Sequence, residues 1–127
     1  MTALVLDAGA LVAVDRQDRA MAARLRIAER TGFELRTNAM VVAQVWRDGR
    51  GRQARLARFL RSVDVVAVDQ AQGRAAGEML ARTRTTDPVD ATVALLAGAG
   101  DRILTGDPDD LNRLVATAGR RAIVVAC

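Results

Sequence analysis

The chain has no histidine and no lysine, and its single cysteine, Cys127, is the last residue. Without histidine there is no Ser-His-Asp triad, and no ribonuclease chemistry that uses histidine as acid and base. Without lysine there is no Walker-type phosphate loop. One cysteine cannot form an internal disulfide, which fits a reducing cytoplasm. Aromatic residues make up only 2% of the chain: Phe33, Trp46 and Phe59. Platforms that stack single-stranded bases need several rings, so a sequence-reading RNA-binding module is disfavoured. Trp46 and Phe59 read instead as core or interface residues. No apolar run approaches the ~20 residues of a membrane span. No basic segment precedes the first apolar run, so no signal peptide is expected.

What remains is a chain of 127 residues, half of them hydrophobic, with a formal net charge of +4. That length and composition predict one folded domain, residues 1–127, with a real core. Every basic side chain is arginine. The planar guanidinium pairs well with phosphate, so nucleic acid is permitted as a partner. A GC-rich genome would produce the same arginine-for-lysine bias, alongside much Ala and Val.

Short apolar runs alternate with longer amphipathic stretches. Strands are expected at 3–6, 34–37, 63–68, 103–105 and 122–125. Helices are expected at 8–14 and 19–30, after Asn38 until Asp48-Gly49 breaks it, and across 51–62. Three more are expected: from Asp69 to about Thr83, from Asp87-Pro88 through Ala97, and from Asp107-Pro108 onward. The alternation predicts an α/β fold with a parallel sheet covered by helices on both faces. No internal repeat, linker or low-complexity tract interrupts it.

Two of the expected strands end on an acid. Leu4-Val5-Leu6 runs into Asp7, and Ile103-Leu104-Thr105-Gly106 runs into Asp107. Ligands of open α/β sheets bind at the carboxyl ends of the strands. The residues after Asp7, Ala8 and Gly9, are small, which lets backbone approach a ligand closely. Asp7 could equally cap the next helix, and a cap can also be a ligand. The pattern Asp-Pro-x-Asp occurs twice, as Asp87-Pro88-Val89-Asp90 and Asp107-Pro108-Asp109-Asp110. Proline suits the first helical position, and the helix dipole favours acids around it. For Asp87 and Asp110 helix capping is the preferred reading. Asp90 differs, because it opens an almost wholly apolar helix that must be buried. Asp107 differs because it ends a strand that should lie beside the first.

Three carboxylates in one cleft repel one another unless a counter-charge is present. A divalent cation supplies it. With oxygen ligands only, Mg²⁺ or Mn²⁺ is favoured over Zn²⁺. Such an ion suits phosphodiester hydrolysis, polarising the phosphate and activating a water. A small metal-dependent phosphatase of the haloacid-dehalogenase type is a weaker alternative. Its second aspartate, two positions after the first, is here Gly9.

The segments Leu4 to Leu11 (LVLDAGAL), Asp90 to Ala94 (DATVA) and Ile103 to Leu111 (ILTGDPDDL) resemble the signature segments of PIN domains. Length and element order resemble in particular VapC-type toxins of bacterial toxin–antitoxin pairs. The resemblance spans essentially the whole chain. It implies a five-stranded parallel sheet and a Mg²⁺- or Mn²⁺-dependent endoribonuclease acting on cellular RNA. It also implies a small antitoxin that inserts into the active-site groove, and assembly as a homodimer or toxin–antitoxin hetero-oligomer. Asp7, Asp90 and Asp107 match three of the family's acids and would hold the metal. Thr105 matches a small hydroxyl position beside the site, and Asp110 a further acid of some members. One position departs. The family's remaining acid is usually a glutamate on the helix after strand two, where this chain has Gln44. Glutamine offers an amide oxygen but no charge and no base. Asp48, one turn further on, could partly replace it.

Arg50, Arg52, Arg55, Arg58 and Arg61 crowd one segment. They could grip RNA phosphates, face solvent with snorkelling side chains, or meet an acidic antitoxin. Two function classes therefore remain open. One is a ribonuclease in which an arginine positions the scissile phosphate. The other is a catalytically weakened PIN fold, marked by Gln44, that binds antitoxin or RNA.

Overall fold

The computed structural model describes residues 1–47 and 50–127. Among these the chain order is β1 (Ala3–Leu6), α1 (Ala8–Asp15), α2 (Arg19–Arg30), β2 (Glu34–Asn38), α3 (Ala39–Val45) and α4 (Ala54–Leu60). It continues with β3 (Asp64–Val66), α5 (Gln70–Thr83), α6 (Pro88–Leu96), β4 (Arg102–Thr105), α7 (Pro108–Thr117) and β5 (Ile123–Ala126). The strands form one parallel sheet in the order β3-β2-β1-β4-β5. Connections from β1 leftward through β2 to β3, then back to β4 and β5, reverse direction once. Right-handed crossovers therefore place α1–α4 on one face and α5–α7 on the other. The packing agrees: α1 lies against α2, α3 and α4, while α5, α6 and α7 lie against one another.

β1 occupies the middle of the sheet, and all four of its residues are buried. That explains its uninterrupted apolar run: a central parallel strand has no solvent face. Leu6, Leu11, Ile103, Leu104, Leu111, Leu114, Val41 and Val93 are among the most deeply buried side chains. Truncating one of the leucines to alanine should cost about 2–5 kcal/mol. The lower edge is tied by Asp101, a buried acid whose two oxygens accept from the Ala3 N–H (2.9 Å) and the Gly98 N–H (2.8 Å).

Local chemistry sets the helix starts. Asp18, Asn38 and Asp69 each accept a backbone N–H of the first turn of α2, α3 and α5. Gly32 follows α2 with φ +93°, a conformation that costs other residues strain. Two expected elements are shorter than their sequence pattern. The arginine segment becomes helical only at Ala54, because Gly51 takes a left-handed turn (φ +69°). The third strand is Asp64–Val66 rather than 63–68, since β3 is an edge strand pairing only with β2 over three residues. Phe59 packs against the core, whereas Trp46 is 36% exposed at the end of α3. Among the described residues no helix is long and apolar enough to cross a membrane.

Candidate metal centre

β1 and β4 are parallel neighbours with Leu6 opposite Leu104. Their next residues, Asp7 and Thr105, therefore emerge together at the carboxyl edge of the sheet. The Asp7 N–H donates to the Leu104 carbonyl (3.0 Å), carrying the ladder one residue further. Both side chains are buried. The Thr105 hydroxyl donates to Asp7 Oδ2 (2.7 Å) and accepts from the Asp107 N–H (3.0 Å). The second Asp7 oxygen accepts the Ala8 N–H (2.8 Å) at the start of α1. Asp7 is thus both a helix cap and one end of a relay that runs through Thr105 to Asp107. Gly9 makes room for this junction. A Cβ there would meet the Cys127 Sγ at 3.1 Å and the Gly106 nitrogen at 3.3 Å. A second aspartate of the phosphatase type at position 9 would crowd the Gly106 backbone.

The N-termini of α6 and α7 bring the remaining acids. Asp87 is the cap of α6, accepting from the N–H groups of Val89 (2.9 Å) and Asp90 (3.2 Å). Asp90, one turn in, is buried. Asp107 occupies the cap position of α7 without making a side-chain capping bond, which leaves its carboxylate available to the cluster. Carboxylate oxygens of Asp90, Asp107 and Asp110 all lie within 4.8 Å of one another. The residue pattern alone favours helix capping for Asp110, and the family resemblance makes it a further acid; its carboxylate lies in the cluster.

The electrostatics follow from this crowding. Burial, then the charges of Asp7, Asp87, Asp107 and Asp110, push the Asp90 acid up to about 7. Asp107 is also raised, by loss of hydration and then by the Asp110 carboxyl beside it. Like charges held this close are unfavourable unless protonated or neutralised. The donor set is entirely oxygen, as a hard cation requires. The donor oxygens of Asp90, Asp107 and Asp110, within 4.8 Å of one another, suit a hard cation. Asp90, Asp107 and Asp110 could hold it directly, with Asp7 adding charge from the edge of the sheet.

Other sequence candidates sit elsewhere. Gln44 is exposed near the end of α3. Asp48 lies outside the described residues. Arg50, Arg52, Arg55, Arg58 and Arg61 are all exposed. Three of them, Arg52, Arg55 and Arg58, line a groove with Asp15 and Gln17 that contains none of the clustered acids. The arginines that do border the acids are Arg84 and Arg113, in a cleft with Thr86, Asp87, Asp90 and Asp110. Sequence reasoning passes over both. Arg113 was detectable, because it lies three residues after Asp110 on one helix face. Arg84 was not, because its place depends on how the α5–α6 loop folds back.

No family model and no curated relative matches the chain. Solved structures do. A chain in the crystal structure of VapBC2 from Rickettsia felis, bound to a DNA fragment from its promoter, aligns with a TM-score of 0.73 over 99% of both chains, at 11% identity. The fold is PIN-like. A chain of DNA-bound VapBC from Salmonella typhimurium aligns with a TM-score of 0.64, covering 99% of this chain and 98% of that one, at 16% identity. The PIN-like architecture expected from the three sequence segments is therefore the observed one, with the five strands parallel and in one sheet.

Proposed function

We propose that this chain is the toxin of a type II toxin–antitoxin pair, a single-domain endoribonuclease that hydrolyses phosphodiester bonds in cellular RNA with Mg²⁺ or Mn²⁺. The observation that carries the reading is the convergence of Asp90, Asp107 and Asp110 within 4.8 Å, beside Asp7 at the strand ends. The full-length likeness to chains of VapBC assemblies supports the class and a cognate antitoxin as partner.

In this reading Asp90, Asp107 and Asp110 bind the ion, and Asp7 completes the charge around it. When bound, such an ion supplies Lewis-acid polarisation of a phosphoryl oxygen and a more acidic water. The chain's own residues do the positioning. Thr105 fixes the rotamer of Asp7 and holds the backbone of Asp107 in register with it. Asp90 holds its proton up to about pH 7 while the charges around it are unneutralised. A cation bound there would displace that proton, so occupancy would be coupled to deprotonation.

The test is cleavage of a defined RNA by purified protein. Activity should need Mg²⁺ or Mn²⁺, stop with EDTA, and be lost in Asp7→Asn and Asp90→Asn. Cutting that continues in EDTA, or in Asp7→Asn, would overturn the assignment. Gln44 favours one second reading, a weakened PIN fold that binds antitoxin or RNA without turnover. RNA binding without cleavage, converted to cleavage by Gln44→Glu, would establish it.

A further inference from the structure

We propose that Arg84 and Arg113 form the phosphate-gripping flank of the acidic site, so that a bound RNA strand crosses the α5–α6 loop and the first turns of α7. The inference rests on the nuclease reading and names the arginines that reading leaves unassigned. Four observations support it. Both side chains line a cleft that also contains Asp87, Asp90 and Asp110. Among the described residues the ion pairs are those of Arg36 with Glu34 and Asp64, so neither Arg84 nor Arg113 is committed to a carboxylate. Neither donates a hydrogen bond to the described protein groups, unlike Arg24, Arg36, Arg47 and Arg120. Both are exposed, so a phosphate can reach their guanidinium forks without displacing other protein groups. The cleft thus pairs an acidic floor with a cationic rim. A cation on the floor and a phosphodiester above it satisfy both at once.

The alternative flank, the arginine-rich α4 segment, lacks this juxtaposition. Its Arg52, Arg55 and Arg58 share a groove with Asp15 and Gln17 rather than with the clustered acids. A phosphate held there would not sit beside the carboxylates by virtue of that groove.

Arg84 offers a clean variant. It ends α5 in the left-handed conformation (φ 57°, ψ 33°), which glycine adopts more readily. Arg84→Gly therefore removes the guanidinium without straining the fold. The experiment measures binding of a fluorescent single-stranded RNA by anisotropy, in EDTA and in Ca²⁺, across a salt series. Variants are Arg84→Gly, Arg113→Ala, Arg113→Lys and a control, Arg26→Ala, on the exposed face of α2. Melting temperature, Mn²⁺ affinity and steady-state cleavage are recorded for each. Arg84→Gly and Arg113→Ala should each weaken binding on the order of fivefold, through loss of a charge-assisted contact. Each should flatten the plot of log affinity against log salt by about 0.7. KM should rise more than kcat falls, Arg113→Lys should recover part of the loss, and Arg26→Ala should match the unmodified chain. Unchanged RNA binding with cleavage intact overturns the inference and leaves the nuclease reading standing. So does an equal loss in Arg26→Ala, or a loss that tracks Mn²⁺ affinity. Absence of metal-dependent cleavage by the unmodified chain sinks the nuclease reading itself, and the inference with it.

Discussion

Neutralising Asp90 should make the metal-free protein more stable, and only above a defined pH. Asp90 is buried among four other carboxylates, and its acid is pushed up to about 7 from an ordinary 3.8. A carboxyl that is a weaker acid in the folded chain than in the unfolded one keeps its proton preferentially in the fold. Its contribution is therefore fully present below about pH 4 and is lost as pH rises through 7. The span is about three pH units, or roughly 4 kcal/mol at 1.36 kcal/mol each. Asp107 is exposed, so the cluster opens to water and screening lowers the realised value to about 2–4 kcal/mol. Asp90→Asn mimics the neutral acid. In EDTA it should melt within a few degrees of the unmodified chain at pH 4.5. At pH 8 it should melt higher, by about 4 °C per kcal/mol for a chain of this size. Saturating Mn²⁺ should reverse the order. An ion at ~100 times its Kd adds about 2.7 kcal/mol to the unmodified chain and little to the variant. Circular-dichroism melts from pH 4.5 to 8.5, with and without Mn²⁺, decide the matter. A difference between the two proteins that does not change with pH would refute the reasoning.

Further outcomes follow from the same geometry. Asp110→Asn should lower Mn²⁺ affinity tenfold or more by calorimetry, whereas Gln44→Glu, on exposed α3, should change it less than tenfold. The reverse order would mean that α3, not α7, supplies the missing acid. Thr105→Val leaves the buried Asp7 oxygen and the Asp107 N–H without their shared hydroxyl. It should cost about 1–3 kcal/mol in denaturant melts and be largely rescued by Thr105→Ser. Asp101→Ala removes the acceptor of two backbone N–H groups at the opposite edge of the sheet. It should destabilise the fold by about 2–4 kcal/mol while leaving Mn²⁺ affinity per folded molecule unchanged; a selective loss of metal binding would contradict its placement.

The fold was legible because apolar period and helix punctuation agree along most of the chain. The buried run at Leu4–Leu6, the cap at Asn38 and the two Asp-Pro pairs mark true element starts. The site was legible in part. Asp7 and Asp107 stand out because each terminates an apolar strand, and Asp90 because it opens a buried helix. Asp110 was less legible, since an acid in the first helical turn is explained by the dipole alone, and only the approach of α6 to α7 brings it beside Asp90 and Asp107. Arg84 and Arg113 were not legible as a pair. One follows the end of α5 and the other lies on α7, and no local pattern reports a cleft formed between segments that far apart in sequence. Three of the arginines around α4 line a groove apart from the clustered acids, and density of charge in one segment says nothing about where that segment lands.

The hydrogen bond between Asp7 and Thr105 joins residues 98 positions apart. In a chain made from its N-terminus, Asp7 exists early and waits for its neighbours. At about 5–20 residues per second, Thr105 follows it after roughly 5–20 s of synthesis. Because β1 is the centre of the sheet and β4 one of its two flanking strands, the acidic cluster cannot assemble on a partial chain. Assembly of the cluster is thereby tied to near-completion of the polypeptide, and a chain cut short before β4 would contain Asp7 and Asp90 but neither Asp107 nor Asp110.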